Sequence, residues 1–180
     1  MFPYLRFFGR MFAAKRQPQV GLFEESVITT RIGLLDIDPW MELNNGRTQT
    51  LYDIAAAPHY ARMETAEKFS EFGIFVTVAG SSMRYRNRAR PFTKVEIRTR
   101  LIGWDQKFFY TEQSMWGADT CFNHGLIRHA FGRRGKGLVP PPEVMKMFEM
   151  DPTSPELPNW VADWISADSE RPWPPMPNLT

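Results

Sequence analysis

Only one cysteine, Cys121, and three histidines occur in the 180 residues, and the net charge is no more than +2. A lone thiol closes no intrachain disulfide and builds no zinc-ligand cluster, so the sequence predicts no metal site and a reducing, cytoplasmic compartment. The 22 Lys and Arg against 20 Asp and Glu lack the basic excess of a dedicated nucleic-acid binder. No run approaches the roughly 20 apolar residues that a membrane-crossing helix needs. Arg6 and Arg10 interrupt the apolar start and no small-x-small cleavage site follows, so no export signal is expected. A Gly-x-Ser-x-Gly nucleophile elbow is also missing.

What remains is the composition of an ordinary globular chain, 43% hydrophobic and 23% charged, long enough for one domain with extensions. Three segments follow from the composition along the chain: an amphipathic helical extension over 1–20, a domain over 21–150, and a tail over 151–180 rich in proline and tryptophan. In the extension Tyr4, Phe8, Met11 and Phe12 fall near one helical face, with Arg6, Arg10 and Lys15 elsewhere. Such a helix either packs on its own domain or a partner, or rests on an anionic membrane surface. The tail shows too little periodicity for a domain, which leaves an ordered strap or partial disorder.

Within 21–150, β-branched residues from about Phe23 to Leu34 predict a first strand. A loop with three carboxylates, Asp36, Asp38 and Glu42, follows it. Asn44 or Asn45 then caps a helix whose Leu51, Ile54 and Ala55 share a face. Pro58 predicts a break in that helix, with a second helix from about Tyr60 to Phe69. Four extended windows close the domain: Phe75 to Tyr85, Lys94 to Trp104, Lys107 to Trp116 and Thr120 to Phe131. Short turns separate the last three, which forces antiparallel neighbours. Val95, Ile97, Thr99 and Leu101 alternate with charged residues and mark the buried face of one strand. A short helix is expected near Val144 to Phe148. Strand, long helix and four strands predict an α+β domain in which one curved antiparallel sheet wraps a central helix.

The pattern Asp36-x-Asp38, then Asn44-Asn45 at a helix start, then four strands resembles the hot-dog-fold thioesterases. That group includes 4-hydroxybenzoyl-CoA thioesterase and the plant acyl-carrier-protein thioesterases, and the likeness spans about Ser26 to Phe148. The resemblance implies hydrolysis of an acyl thioester, with acyl-CoA or acyl-carrier protein as partner. No separate cofactor is implied, because coenzyme A or phosphopantetheine arrives as part of the substrate. It also implies a homodimer, or a tetramer, with sites between subunits. Asp38 inherits the catalytic carboxylate, as base or nucleophile. The backbone amides near Asn44, Asn45 and Gly46 become oxyanion donors, and Asn44 an orienting group. Two positions depart from the family: Glu42 stands where relatives often carry histidine, and Thr48 where an aromatic residue often follows the asparagine pair.

Glu42 is able to replace that histidine as base, since both side chains accept a proton. Three acids so close together are expected to raise the pKa of the most buried one. Arg84, Arg86, Arg88 and Arg90 alternate, so a continued strand would align them: Arg86, Arg88 and Arg90 then either bind coenzyme A phosphates, with Gly46 as a further substrate contact, or form a solvated sheet edge or loop. Arg133, Arg134 and Lys136 form a second basic cluster. His124 and His129 are five apart on a strand and point to opposite faces, and His59 has no evident partner. Cys121 reads as a small buried apolar residue. A non-catalytic hot-dog protein that binds an acyl ligand, or scaffolds other proteins, is the alternative function.

Overall fold

The computed structural model describes residues 2–175. Six strands share one sheet: β1 (Ser26–Arg31), β2 (Ile74–Tyr85), β3 (Lys94–Trp104), β4 (Phe109–Trp116), β5 (Cys121–Arg133) and the short β6 (Gly137–Val139). Their order is β1-β3-β4-β5-β2, with β6 added on β5, and every pairing is antiparallel. The β3–β4 connection is tight because the Asp105 carboxylate accepts the Lys107 and Phe108 amides at 2.6 and 2.7 Å. β1 is shorter than the expected Phe23 to Leu34. A turn closed by the Glu24 amide on Gly21 O takes up the residues before it, and a 3-10 turn (Leu34–Asp36) the residues after it.

The sheet curls around α2 (Asn45–Arg62), as the strand–helix–strand order predicted. Val95, Ile97, Thr99 and Leu101 are all buried on its inner face. Leu51, Tyr52, Ile54 and Ala55 of α2 form one cluster with Ile28, Val95, Ile97, Met115 and Ile127. Gly125 is what lets the helix come so close. A Cβ there would lie 2.7 Å from Met83 Sδ and 2.8 Å from the Tyr52 ring. The Tyr52 hydroxyl donates to Asn123 Oδ1 at 2.6 Å, and Gln113 Nε2 donates to Tyr52 O at 3.0 Å.

The expected break at Pro58 does not occur. α2 runs through the proline to Arg62, and α3 (Ala66–Glu71) begins later than the expected second helix. Pro58 lies on the buried face with Ile54, Ala55 and His59, so packing on both sides outweighs the local cost of about 3 kcal/mol. The helix near Val144 is present as α4 (Pro141–Met147).

Part of the tail is helical, which the sequence pattern did not predict. α5 (Asn159–Ser169) follows a stretch in which Ser154 Oγ accepts the Trp104 amide at 2.9 Å. Val161 is buried against Tyr110 and Leu126, with Trp164 and Ile165 packed alongside. Leu126 faces α5 while its neighbour Ile127 faces the α2 cluster, so the sheet carries a helix on each side. Arg128 fixes α5 further through Asp168 at 2.6 Å. Tail residues 176–180 lie outside the described residues.

α1 (Tyr4–Ala14) docks on its own domain. Phe7 packs on the α2 cluster, Ala14 is buried, and the Arg10 guanidinium donates to Thr29 O. Tyr4, Leu5, Phe8 and Phe12 remain exposed on its other side.

Candidate functional site

The loop between β1 and α2 is built around Asp36. Its buried carboxylate accepts the Gly33 amide, Arg6 and Arg47, each at 2.9 Å. Burial alone would raise its pKa, but the Gly33 amide and the two arginines outweigh that, and the pKa is lowered. The most buried acid of the three therefore shifts opposite to the expectation from mutual repulsion, because cations rather than the other acids surround it. Beyond Asp36 the loop closes on itself. Asn44 donates its amide to Asp36 O at 2.9 Å, Ile37 and Leu43 form an antiparallel bridge, and Asp38 donates its amide to Glu42 O at 2.9 Å. The Asp38 carboxylate accepts the Trp40 amide at 3.0 Å and the Glu42 amide at 3.4 Å. Asp38 thus holds the turn that carries Glu42.

At the start of α2, Asn44 Oδ1 accepts the amides of Gly46 at 2.9 Å and Arg47 at 3.2 Å. The Thr48 amide is bonded to Asn44 O at 2.9 Å. Asn44 thereby consumes the Gly46 amide that was expected as an oxyanion donor. Among the described residues, the Asn45 N–H is the first-turn amide with no protein acceptor.

A cleft of about 170 Å³ opens beside Asn45. Glu42, Leu43 and Thr48 form one side, and the segment from Tyr85 to Ala89 the other, with Asn123 also in the lining. Glu42 pairs across it with Arg88, whose Nε lies 3.0 Å from the carboxylate. Of the residues singled out from the sequence, Glu42, Asn45, Arg86 and Arg88 meet in this cleft. Asp38, Asn44, Gly46 and Arg90 are not among its walls.

The four arginines do not form a stripe. β2 ends at Tyr85, and the amides of Arg86 and Asn87 both turn onto Phe122 O, at 2.9 and 3.1 Å. That bend takes Arg86 and Arg88 off the strand axis and toward Glu42. Arg133, Arg134 and Lys136 sit at the β5–β6 turn, where Arg133 Nε donates to Phe72 O at 3.0 Å. Tyr85, Asn87 and Asn123 were not anticipated. They reach the cleft from segments remote from the loop; Tyr85 and Asn87 lie between the arginines of the alternating run, where the charged side chains carry the signal instead. Asn123 was recoverable only as a polar residue on an otherwise buried strand.

The histidines separate as expected for β5. His124 bonds Glu112 at 2.8 Å on the outer face, whereas His129 is buried beside the Tyr60 ring. The His124 hydrogen bond, with help from Arg100 and against burial, lowers the Glu112 pKa to about 2. His59, which has no evident acidic or cysteine partner in the sequence, has Ser26 Oγ 2.9 Å from Nδ1. Burial lowers both His59 and His129 to about 4, with smaller contributions from Arg62 and from His59 respectively. Cys121 is only part-buried, beside Trp116 and His124 on the outer face, rather than in the core.

Residues 32–165 match the family model described as thioesterase-like superfamily. The chain belongs to this superfamily. Within it, the chain is similar to Protein THEM6 of Xenopus laevis, 32% identical over 72% of this chain and 62% of that protein. Protein THEM6 of Drosophila melanogaster is 28% identical over 89% of this chain and 80% of its own length. The matched part thus spans less than two thirds of the Xenopus relative. Among solved structures, the probable thioesterase YbaW of Escherichia coli superposes with a TM-score of 0.61 at 16% identity, over 69% of this chain and 96% of that one. 4-Hydroxybenzoyl CoA thioesterase complexed with 4-hydroxybenzoyl CoA gives 0.59 at 13% identity, over 68% and 97%. At these identities the likeness is one of fold, and the fold is the hot-dog fold of thioesterases.

Proposed function

We propose that this member of the thioesterase-like superfamily hydrolyses an acyl thioester, acyl-CoA or acyl-carrier protein, in the cleft between Glu42 and Asn45. The observation that carries the reading is the meeting of a carboxylate and an unpaired helix-start amide in one cleft. Glu42 acts as general base and takes a proton from water. The water oxygen attacks the thioester carbonyl carbon, and the carbonyl electrons move to the oxygen, where the Asn45 N–H stabilises the oxyanion. Collapse of the tetrahedral intermediate expels the thiolate, which recovers the proton from Glu42. Asp38 is a positioning residue that fixes the Glu42 turn, and Arg86 and Arg88 attract the phosphates of a coenzyme A or phosphopantetheine tail.

The cleft is smaller than the 300 Å³ or more of a typical ligand pocket. A homodimer that adds a second wall accounts for this. β2 offers twelve residues with one side unpaired, and Phe75 and Val78 are exposed along it.

Release of free thiol from a panel of acyl-CoAs tests the assignment. Glu42→Gln is expected to lower kcat by roughly 10²- to 10⁴-fold, the usual worth of a general base. Asp38→Asn is expected to lower it less and to loosen the loop. Full activity in both variants removes Glu42 and Asp38 from the mechanism. A second reading, non-catalytic binding of an acyl thioester, is favoured by the Glu42–Arg88 ion pair, which occupies the carboxylate. In that case acyl-CoA raises the melting temperature of the wild type and no thiol appears.

A further inference from the structure

A large exposed apolar surface lies away from the cleft walls. α1 is apolar on both sides: Phe7 and Ala14 face the domain, while Tyr4, Leu5, Phe8 and Phe12 face outward. The outward side chains run in a line at helical spacing, and the Tyr4 and Phe8 rings stack at 6.4 Å. Leu5 is 93% exposed.

A second group extends the patch. Leu34 and Leu35 of the 3-10 turn, together with Phe92, share a largely apolar groove of about 660 Å³ with Phe2, Tyr4 and Leu5. Leu35 is 90% exposed. Phe92 holds a left-handed backbone (φ 63), rare for a bulky residue, kept there by its amide on Ile32 O at 2.8 Å. The backbone is thus fixed in a way that presents an aromatic ring to the outside. Contiguous exposed apolar surface of this kind marks a contact site.

Charge identifies the contact. Residues 1–23 contain Arg6, Arg10, Lys15 and Arg16 and no Asp or Glu. The one acid in the groove, Asp36, is neutralised by Arg6 and Arg47. Cations also touch the patch directly: the Arg16 guanidinium lies 4.7 Å from the Phe12 ring, and Arg31 donates to Phe92 O at 3.2 Å. A second copy of the chain would have the unpaired edge of β2 to meet, whereas the cationic and apolar character of this patch matches an anionic lipid surface.

We propose that α1, the Leu34–Leu35 turn and Phe92 form a docking face for the surface of an anionic phospholipid bilayer. The aromatic and leucine side chains enter the headgroup–acyl boundary while Lys15, Arg16 and Arg31 contact lipid phosphates. No helix among the described residues is long and apolar enough to cross a membrane.

Flotation of the full chain with vesicles tests this. Phosphatidylcholine vesicles doped with phosphatidylglycerol are expected to carry the protein, pure phosphatidylcholine vesicles to carry less, and added salt to release it. The double variant Leu5→Glu with Phe8→Glu is expected to bind at least about tenfold more weakly, the loss of burying two apolar side chains. Both positions are exposed, so its melting temperature should match the wild type. Lys15→Gln with Arg16→Gln should lower binding to doped vesicles only. The proposal is overturned if the wild type fails to float, or if the Leu5–Phe8 variant floats equally. It is equally overturned if that variant converts an oligomer to monomers in solution, which would make a second copy the occupant.

Discussion

Asp36 shows how one buried charge can organise a loop. Its carboxylate is buried, and three donors surround it. Asp36→Asn removes the charge that both arginines face, and about 2–4 kcal/mol of stability is expected to go with it, less than for a fully buried pair because the arginines reach solvent. Urea denaturation measures this; a loss below about 0.5 kcal/mol would show that the arginines rehydrate at no cost. The histidines give a pH dependence of definite sign. His59 and His129 titrate near 4 in the folded chain, against 6.5 when unfolded. Between these values the unfolded state binds more protons, so stability is full above pH 6.5 and falls as the pH drops toward 4. Each histidine contributes on the order of 3 kcal/mol to that fall. Glu112 adds a further loss as the pH drops from its ordinary 4.5 toward 2. Chemical denaturation between pH 7 and pH 4 should show the histidine slope, and His129→Phe should flatten it.

Elements were legible where a period of two persisted. β3 occupies the window foreseen for it because Val95, Ile97, Thr99 and Leu101 alternate without interruption and short turns bound the window. Helices were less legible. Pro58 obeys a local rule that tertiary packing overrides, and α5 lies in a window squeezed between prolines, where Val161, Trp164, Ile165 and Asp168 give barely two turns of pattern. Its packing on the outer face yields a prediction. Val161→Asp places a charge between Tyr110 and Leu126 and is expected to detach α5 while leaving the α2 side intact. Limited proteolysis should then cut within 151–158 at least tenfold faster, roughly the effect of losing one docked helix. Unchanged cleavage would mean that Arg128 and Asp168 hold the helix without the apolar contact.

For the whole molecule, the candidate site was half legible. The loop and helix start, from Asp36 to Asn45, were found because they are contiguous. The opposing wall was found only through Arg86 and Arg88, because Tyr85, Asn87 and Asn123 reach it from the end of β2 and from β5, brought there by strand pairing. Dimerisation belongs to this scale too. Val78→Lys, at the exposed β2 edge, is expected to halve the solution mass measured by light scattering if two copies pair along that strand. An unchanged mass would place the partner elsewhere or remove it.

Asp36 also has a thermodynamic consequence. One of its oxygens is held by Arg6 of α1 and the other by Arg47 of α2, so the outward-facing helix and the start of the cleft are tied to a single carboxylate. A ligand that shifts one tether is expected to be felt at the other. Linkage then demands reciprocity: if lipid contact changes the affinity for an acyl thioester by some factor, the thioester changes the affinity for lipid by the same factor. Two titrations, each with the other ligand present and absent, would close that cycle, and Asp36→Asn should uncouple it.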